Sequence, residues 1–194
     1  MYLKAAVLFS LLASSFALPT TDASRKVKRG VLTVQDYSQF QVSSGKAGNA
    51  LAEVNAKFPV CIQHNSTSLA PTANPLQIDQ ANLAGVDAQD LAILKAARVT
   101  AEDAEVGTGG FNDAIAAAGK STAAGKALQN GKIKNKVLKL QLEVLSLQID
   151  GAQGKDTTAK VAAETKKLNN NIALDKAAAG QASTPVDFTG TSQP

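Results

Sequence analysis

The run GKIKNKVLKLQLEVLSLQID, residues 131–150, constrains the fold more than any other part of this chain. Ile133, Val137, Leu140, Val144 and Leu147 recur at alternating steps of four and three, one face of a helix. Leu138, Leu142, Leu145 and Ile149 form a second stripe beside the first. From Leu138 to Val144 the same residues also alternate apolar and polar, as a strand would. Lysine, glutamine, glutamate and leucine favour helix, and the run is too long for an ordinary strand. Two adjacent stripes bury a wide face, so the sequence predicts a long central helix over residues 123–152.

Shorter helical signals surround it. Thr33 precedes VQDYSQF, with Asp36 three residues on, as a cap would require. Ser44 precedes GKAGNALAEVNAKF, in which Ala47, Leu51, Val54 and Phe58 make one stripe. Asp87 stands before AQDLAILKAAR, with Leu91, Ile93, Leu94 and Ala97 as its apolar set. Thr100 and Asp103 imitate a capping box, with Val99 as the staple residue, and predict a separate helix start. GTGG at 107–110 breaks the chain before FNDAIAAAG. A last helix over 156–179 shows Val161, Leu168, Ile172 and Leu174 and ends at Gly180. Abundant alanine favours helices packed closely through small side chains. The expectation is an all-α bundle of four to five helices spanning 30–182, followed by a polar tail, 183–194, with no apolar anchor signal.

The N-terminus reads as a cleaved leader. MYLKAAVLFSLLASSFALP has one lysine, a short apolar run and small residues, with Ser15 and Ala17 placed for a cut after Ala17. The apolar run is too short to span a bilayer. Residues 18–29 then read as a propeptide with paired basic residues, Arg25-Lys26 and Lys28-Arg29, and a processing protease would cut after Arg29. Charge supports this division. The whole chain carries +4, and residues 1–29 hold Lys4, Arg25, Lys26, Lys28 and Arg29 against Asp22, so the entire surplus lies there. Residues 30–194 are formally neutral, which argues against nucleic-acid binding and against attraction to anionic membranes. No integral membrane association is expected.

Residue types that carry chemistry are sparse. Cys61 is the only cysteine, so no internal disulfide forms, and His64 is the only histidine. Two such residues three apart do not make a zinc site, and a Cys–His pair needs a rigid frame that KFPVCIQHNSTSLAPTANPLQID does not offer. Within that stretch Asn65-Ser66-Thr67 is a glycan acceptor for a secreted protein. GKST at 119–122 imitates the end of a phosphate loop, but Ala114 stands where the loop needs glycine, so a helix break is the better reading. Glu102, Asp103 and Glu105 cluster as a glycosidase pair might be sought, yet acids at a helix start complement its dipole. No catalytic residue, metal ligand or cofactor is expected.

Two readings of residues 60–77 stay open. One is a solvent-exposed loop. The other is a translated intron: Val60-Cys61 can be encoded with a typical intron start, Ala73-Asn74 with a branch sequence and Gln77 with an intron end. Removing the segment joins Phe58-Pro59 to Ile78-Asp79 and shortens a loop longer than helix bundles need. Sequencing the cDNA across this junction decides between them.

LTVQDYSQFQVSSGKAGNALAEVNAKFP, ARVTAEDAEVGTGGFNDAI and GKALQNGKIKNKVLKLQLEVLSLQIDGAQGKD resemble a group of fungal small secreted proteins, several of them candidate effectors. The resemblance covers nearly all of residues 31–182, and in that group the chain runs from Phe-Pro straight into Ile-Asp. It implies an extracellular setting and a fungal source; the expected place of action is the apoplast or the fungal wall, with an unknown host or fungal cell-wall component as partner. It implies no activity and no catalytic residues. The expected function is therefore non-enzymatic interaction outside the cell. The alternative is a surface-active coat that lays apolar faces such as residues 137–149 on hydrophobic or wall surfaces.

Overall fold

One helix, α5 (Ala123–Ala152), runs through the molecule, and helices α2 (Ala50–Lys57), α3 (Ala88–Val106), α4 (Phe111–Ala118) and α6 (Thr158–Ala177) all pack on it. The structure is a computed structural model and describes residues 30–58, 60, 61 and 78–194. A single turn, α1 (Tyr37–Phe40), precedes the others. Among the described residues the architecture is thus an all-α bundle of five helices of two turns or more around a long central one.

The second predicted stripe of α5 is core throughout and the first is core in its middle, while its ends, Ile133 and Leu147, are only partly buried. Val137, Leu138, Leu142, Leu145 and Ile149 are fully buried, with Leu140 and Val144 nearly so. α3 meets them through Leu94, Ala97, Ala101 and Ala104. Three alanines let the two backbones approach closely. α6 contributes Leu168 and the half-buried Ile172. At one end Tyr37, Phe40 and Phe58 close the core edge to face, with ring centres 5.5 and 5.7 Å apart.

Several local expectations are corrected. The cap of α1 is Asp36, whose N–H donates to Gln39 Oε1 at 2.9 Å, not Thr33. The second helix begins at Ala50 rather than after Ser44, because Gly45 and Gly48 take φ of 82° and 117°, which helix excludes. Gly45–Lys46 instead forms a strand, β1. No helix starts at Thr100: α3 is continuous, the Thr100 hydroxyl donates to the Thr191 carbonyl at 2.6 Å, and Val99 is 48 % exposed. An apolar stripe already buried on α5 outweighs a capping pattern in mid-helix. Leu174 is also not core; it is 46 % exposed.

Asp87 caps α3 as expected, accepting from Gln89 N–H at 2.8 Å. The breaks at 107–110 and 119–122 are real. Gly109 and Gly119 have φ of 76° and 80°, and the Thr122 side chain caps α5 by accepting from Gly125 N–H.

The two ends of the chain are bound into the fold together. β1 pairs antiparallel with β4 (Ala182–Ser183), Gly45 opposite Ser183. Further along, Asp36 bridges to Thr191, and Tyr37 N–H donates to the Gly190 carbonyl at 2.7 Å. Residues 183–194 are polar in composition yet packed: Ser192 is buried, and Phe188 stands edge to face with Tyr37. Val60–Cys61 (β2) and Ile78–Asp79 (β3) run parallel, with Val60 beside Ile78. The chain therefore leaves at residue 60 and resumes at 78 in the same direction, one strand spacing away.

Candidate functional site

The acids singled out in the sequence lie on the last turns of α3, and two of the three face α5. Glu105 is buried and half-buried Glu102 stands beside it, while Asp103 points to solvent. Lys139 of α5 reaches both Glu102 and Glu105 at 3.1 Å. Lys136 and Lys132 approach Glu105 at 3.5 and 3.7 Å. Arg98 joins from α3, 3.3 Å from Glu102 and 2.8 Å from Glu143. The spacing of Lys132, Lys136 and Lys139 puts all three on one face of α5, opposite the α3 acids.

This arrangement fixes the charge state of Glu105. Burial works to raise its carboxyl, but the charge and hydrogen bond of Lys139, with Lys136 and Lys132 behind it, more than offset that and hold it below the ordinary range. That direction is opposite to the raised carboxyl of a glycosidase general acid. The cluster binds charge.

Two grooves flank this network. The first, about 480 Å³, lies over α5 between α3 and α6 and is lined by Arg98, Glu102, Lys139, Glu143, Glu164 and Lys167 among others. The second, about 460 Å³, lies between α4, α5 and α6 and is lined by Ile115, Lys120, Lys132, Ile133 and Leu174 among others. Lys136 and Asn171 border both. The first wall is charged, and the second sets lysines beside the exposed Leu174 and the partly buried Ile133.

Ala17, Lys28, Arg29, His64 and Asn65 lie outside the described residues. Of Cys61 only the backbone, in β2, is described. The glycines at 107–110 are used as a linker, with Asp113 accepting from Gly109 N–H at 2.9 Å. Among the described residues no group of three His, Cys, Asp or Glu side chains is placed to hold a metal ion. No described helix is long and apolar enough to cross a membrane.

The residues that sequence reasoning missed are buried polar ones. Lys134 is fully buried on α5 and donates to the carbonyls of Ser44 and Lys46 at 2.9 and 3.0 Å and to Glu53. Asn135 donates to the Ala101 carbonyl and accepts from the Tyr37 hydroxyl, both at 2.8 Å. Burial pushes that hydroxyl well above the ordinary phenol range. Asn130 donates to the Ala182 carbonyl at 2.8 Å. Asp175 accepts from Gly48 and Ala50 N–H, each at 2.9 Å. A usable signal existed: Asn135 extends the 138–142–145–149 stripe backwards by one step, and Asp175 extends the Leu168–Ile172 spacing forwards by one step.

Fold and grooves together define a small helical bundle wrapped on one central helix, with a charge network joining α3 to α5 between two grooves. The chain belongs to the family described as Domain of unknown function (DUF8454), which matches residues 32–187. No curated protein and no solved structure matches the chain.

Proposed function

We propose that this chain is a non-enzymatic, secreted protein of a fungus that acts by interaction outside the cell, as an effector on a host. The leader-like residues 1–29 and the neutral charge of residues 30–194 support the compartment. The observation that carries the interaction reading is the groove between α4, α5 and α6. There Leu174, 46 % exposed, and Ile133 stand beside Lys120, Lys132 and Lys136. A formally neutral surface that gathers lysines around an apolar patch suits a host or wall component offering a small apolar group flanked by acceptor oxygens.

The test is retention on host apoplastic extract and on wall fractions, for the wild-type chain and for Leu174→Asp. Retention of wild type, lost in Leu174→Asp with the fold unchanged by circular dichroism, supports the reading. Failure of wild type to be retained on either, together with unimpaired host colonisation after gene deletion, removes it. The coat reading needs the bundle to open, because the apolar residues of 137–149 that it would present are largely buried. Adsorption to hydrophobic beads well above that of an ordinary globular protein would favour the coat instead.

A further inference from the structure

The first described residues converge on one buried carboxylate. Asp90, in the first turn of α3, is 3 % exposed. Its Oδ2 accepts from Val31 N–H at 2.9 Å and its Oδ1 from Leu32 N–H at 2.8 Å. Gly30 lies against the same group: a β-carbon there would stand 2.5 Å from Oδ1, closer than real side chains come. Covalent geometry keeps a residue's nitrogen about 2.5 Å from its β-carbon position, so Gly30 N lies within about 5 Å of Oδ1.

A second buried carboxylate shows what is unusual here. Asp175, 2 % exposed, also takes two backbone amides, but one belongs to Ala50, the first residue of α2. The positive end of that helix answers its charge. Asp90 stands in the first turn of α3, whose positive end answers part of its charge, and both of its amides come from an extended arm rather than from a second helix. Among the described residues no lysine or arginine pairs with it. A buried carboxylate is costly unless a counter-charge meets it. The sequence holds a source of one at the bond before Gly30, directly after Lys28-Arg29.

We propose that Asp90 is a built-in receptor for the ammonium of a processed Gly30 N-terminus. A dibasic-specific endoprotease makes the cut. Water adds across the Arg29–Gly30 amide; its oxygen completes a carboxylate on Arg29, and the Gly30 nitrogen leaves with the protons as an ammonium. That group then pairs with Asp90 Oδ1, and glycine is required because any side chain would occupy the space of the carboxylate. Val31 and Leu32, partly buried against the main core, are thereby locked onto α3. Maturation tightens the fold, and this holds whatever the partner of the lysine-lined groove proves to be.

Three chains test it: one beginning at Gly30, the same chain acetylated at Gly30, and a Lys28→Ala/Arg29→Ala chain beginning at Leu18. The free Gly30 chain is expected to melt higher than the other two by about 3 °C or more. Its α-amine should also resist an amine-acylating reagent in the folded state and lose that resistance in urea. Asp90→Asn should lower both chains, since its Nδ2 cannot accept from an arm amide, and should remove the advantage of the free chain over the acetylated one. Coincident melting of free and acetylated chains, or equally fast acylation folded and unfolded, overturns the proposal. So does a secreted product whose intact mass does not begin at Gly30. Acetylation leaves Asp90 untouched, so the comparison stands even where Asp90→Asn does not fold.

Discussion

The helical layer of α3, α5 and α6 and the two arms wrapped on it, residues 30–49 and 178–194, differ in what fixes them, for the arms add directed polar contacts to apolar anchors such as Tyr37, Phe40 and Val42. The layer is joined by apolar stripes: Leu94, Ala97, Ala101 and Ala104 against Val137, Leu138, Leu142, Leu145 and Ile149. The arms are joined in addition by single buried polar side chains, three of which each meet two backbone groups and one a single carbonyl. Lys134 holds Ser44 and Lys46, Asp175 holds Gly48 and Ala50, Asp90 holds Val31 and Leu32, and Asn130 holds Ala182. Apolar contact is non-directional, so it tolerates a change of shape that keeps volume. A directed hydrogen bond does not, since its loss strands a buried partner.

The largest predicted effect separates the two regions with one replacement residue. Leu142→Met keeps volume and chemistry and should cost less than about 1.5 kcal/mol. Lys134→Met also keeps length, but it strands the carbonyls of Ser44 and Lys46 and leaves Glu53 unpaired, and should cost about 3 kcal/mol. Urea unfolding measures both. Equal costs would erase the distinction between layer and arms.

The next effect, about 2 kcal/mol, comes from the crossing of the C-terminal arm over α5. A β-carbon at Gly131 would lie against the Thr184 carbonyl oxygen and 3.0 Å from Phe111. In an exposed helix Gly→Ala stabilises; here Gly131→Ala should destabilise, by forcing β4 off the helix. A gain in urea midpoint would show that the arm is not tightly seated.

The same contrast explains what the sequence made legible. The α5 bounds and both its stripes, the cap at Asp87 and the glycine breaks follow from periodicity and local backbone preference, which act within a few residues. The arms follow from contacts such as Ser192 N–H to the Gln35 carbonyl, 157 positions apart, which no local pattern carries. A capping pattern at Thr100 and a stripe position at Leu174 misled because tertiary burial overrides local preference. At the candidate site the acids were visible, but their lysine partners were not assigned to them. Pairing Glu105 with Lys139 requires knowing that α3 lies along α5.

Acid should weaken the layer's rim before its centre. Burial works to raise both Glu105 and Asp150, and lysines more than reverse this in each: Lys139, Lys136 and Lys132 for the first, Lys155 and Lys95 for the second. A carboxyl depressed in the folded state stabilises above its unfolded pKa, about 4, and that contribution is lost as pH falls through the folded value. The urea midpoint should therefore fall below about pH 4. In Glu105→Gln/Asp150→Asn the fall should be shallower. An identical acid profile in the double variant would assign acid sensitivity to other groups.

The smallest effect is expected at Asp103, and its smallness is informative. Glu102, Asp103 and Glu105 are neighbours in sequence, yet only the first and third turn towards α5 and its lysines; Asp103 is exposed. Its one structural task is carried by the backbone, whose carbonyl accepts from Gly107 N–H at the end of α3. Asp103→Ala removes a carboxylate near a helix C-terminus, where negative charge is unfavourable, so stability should change by less than about 0.5 kcal/mol and in the stabilising direction. Glu105→Ala removes the buried acid that three lysines of α5 share and should destabilise clearly. A loss in Asp103→Ala as large as that in Glu105→Ala would mean that the three acids act as one group, and the burial difference between them would not govern their roles.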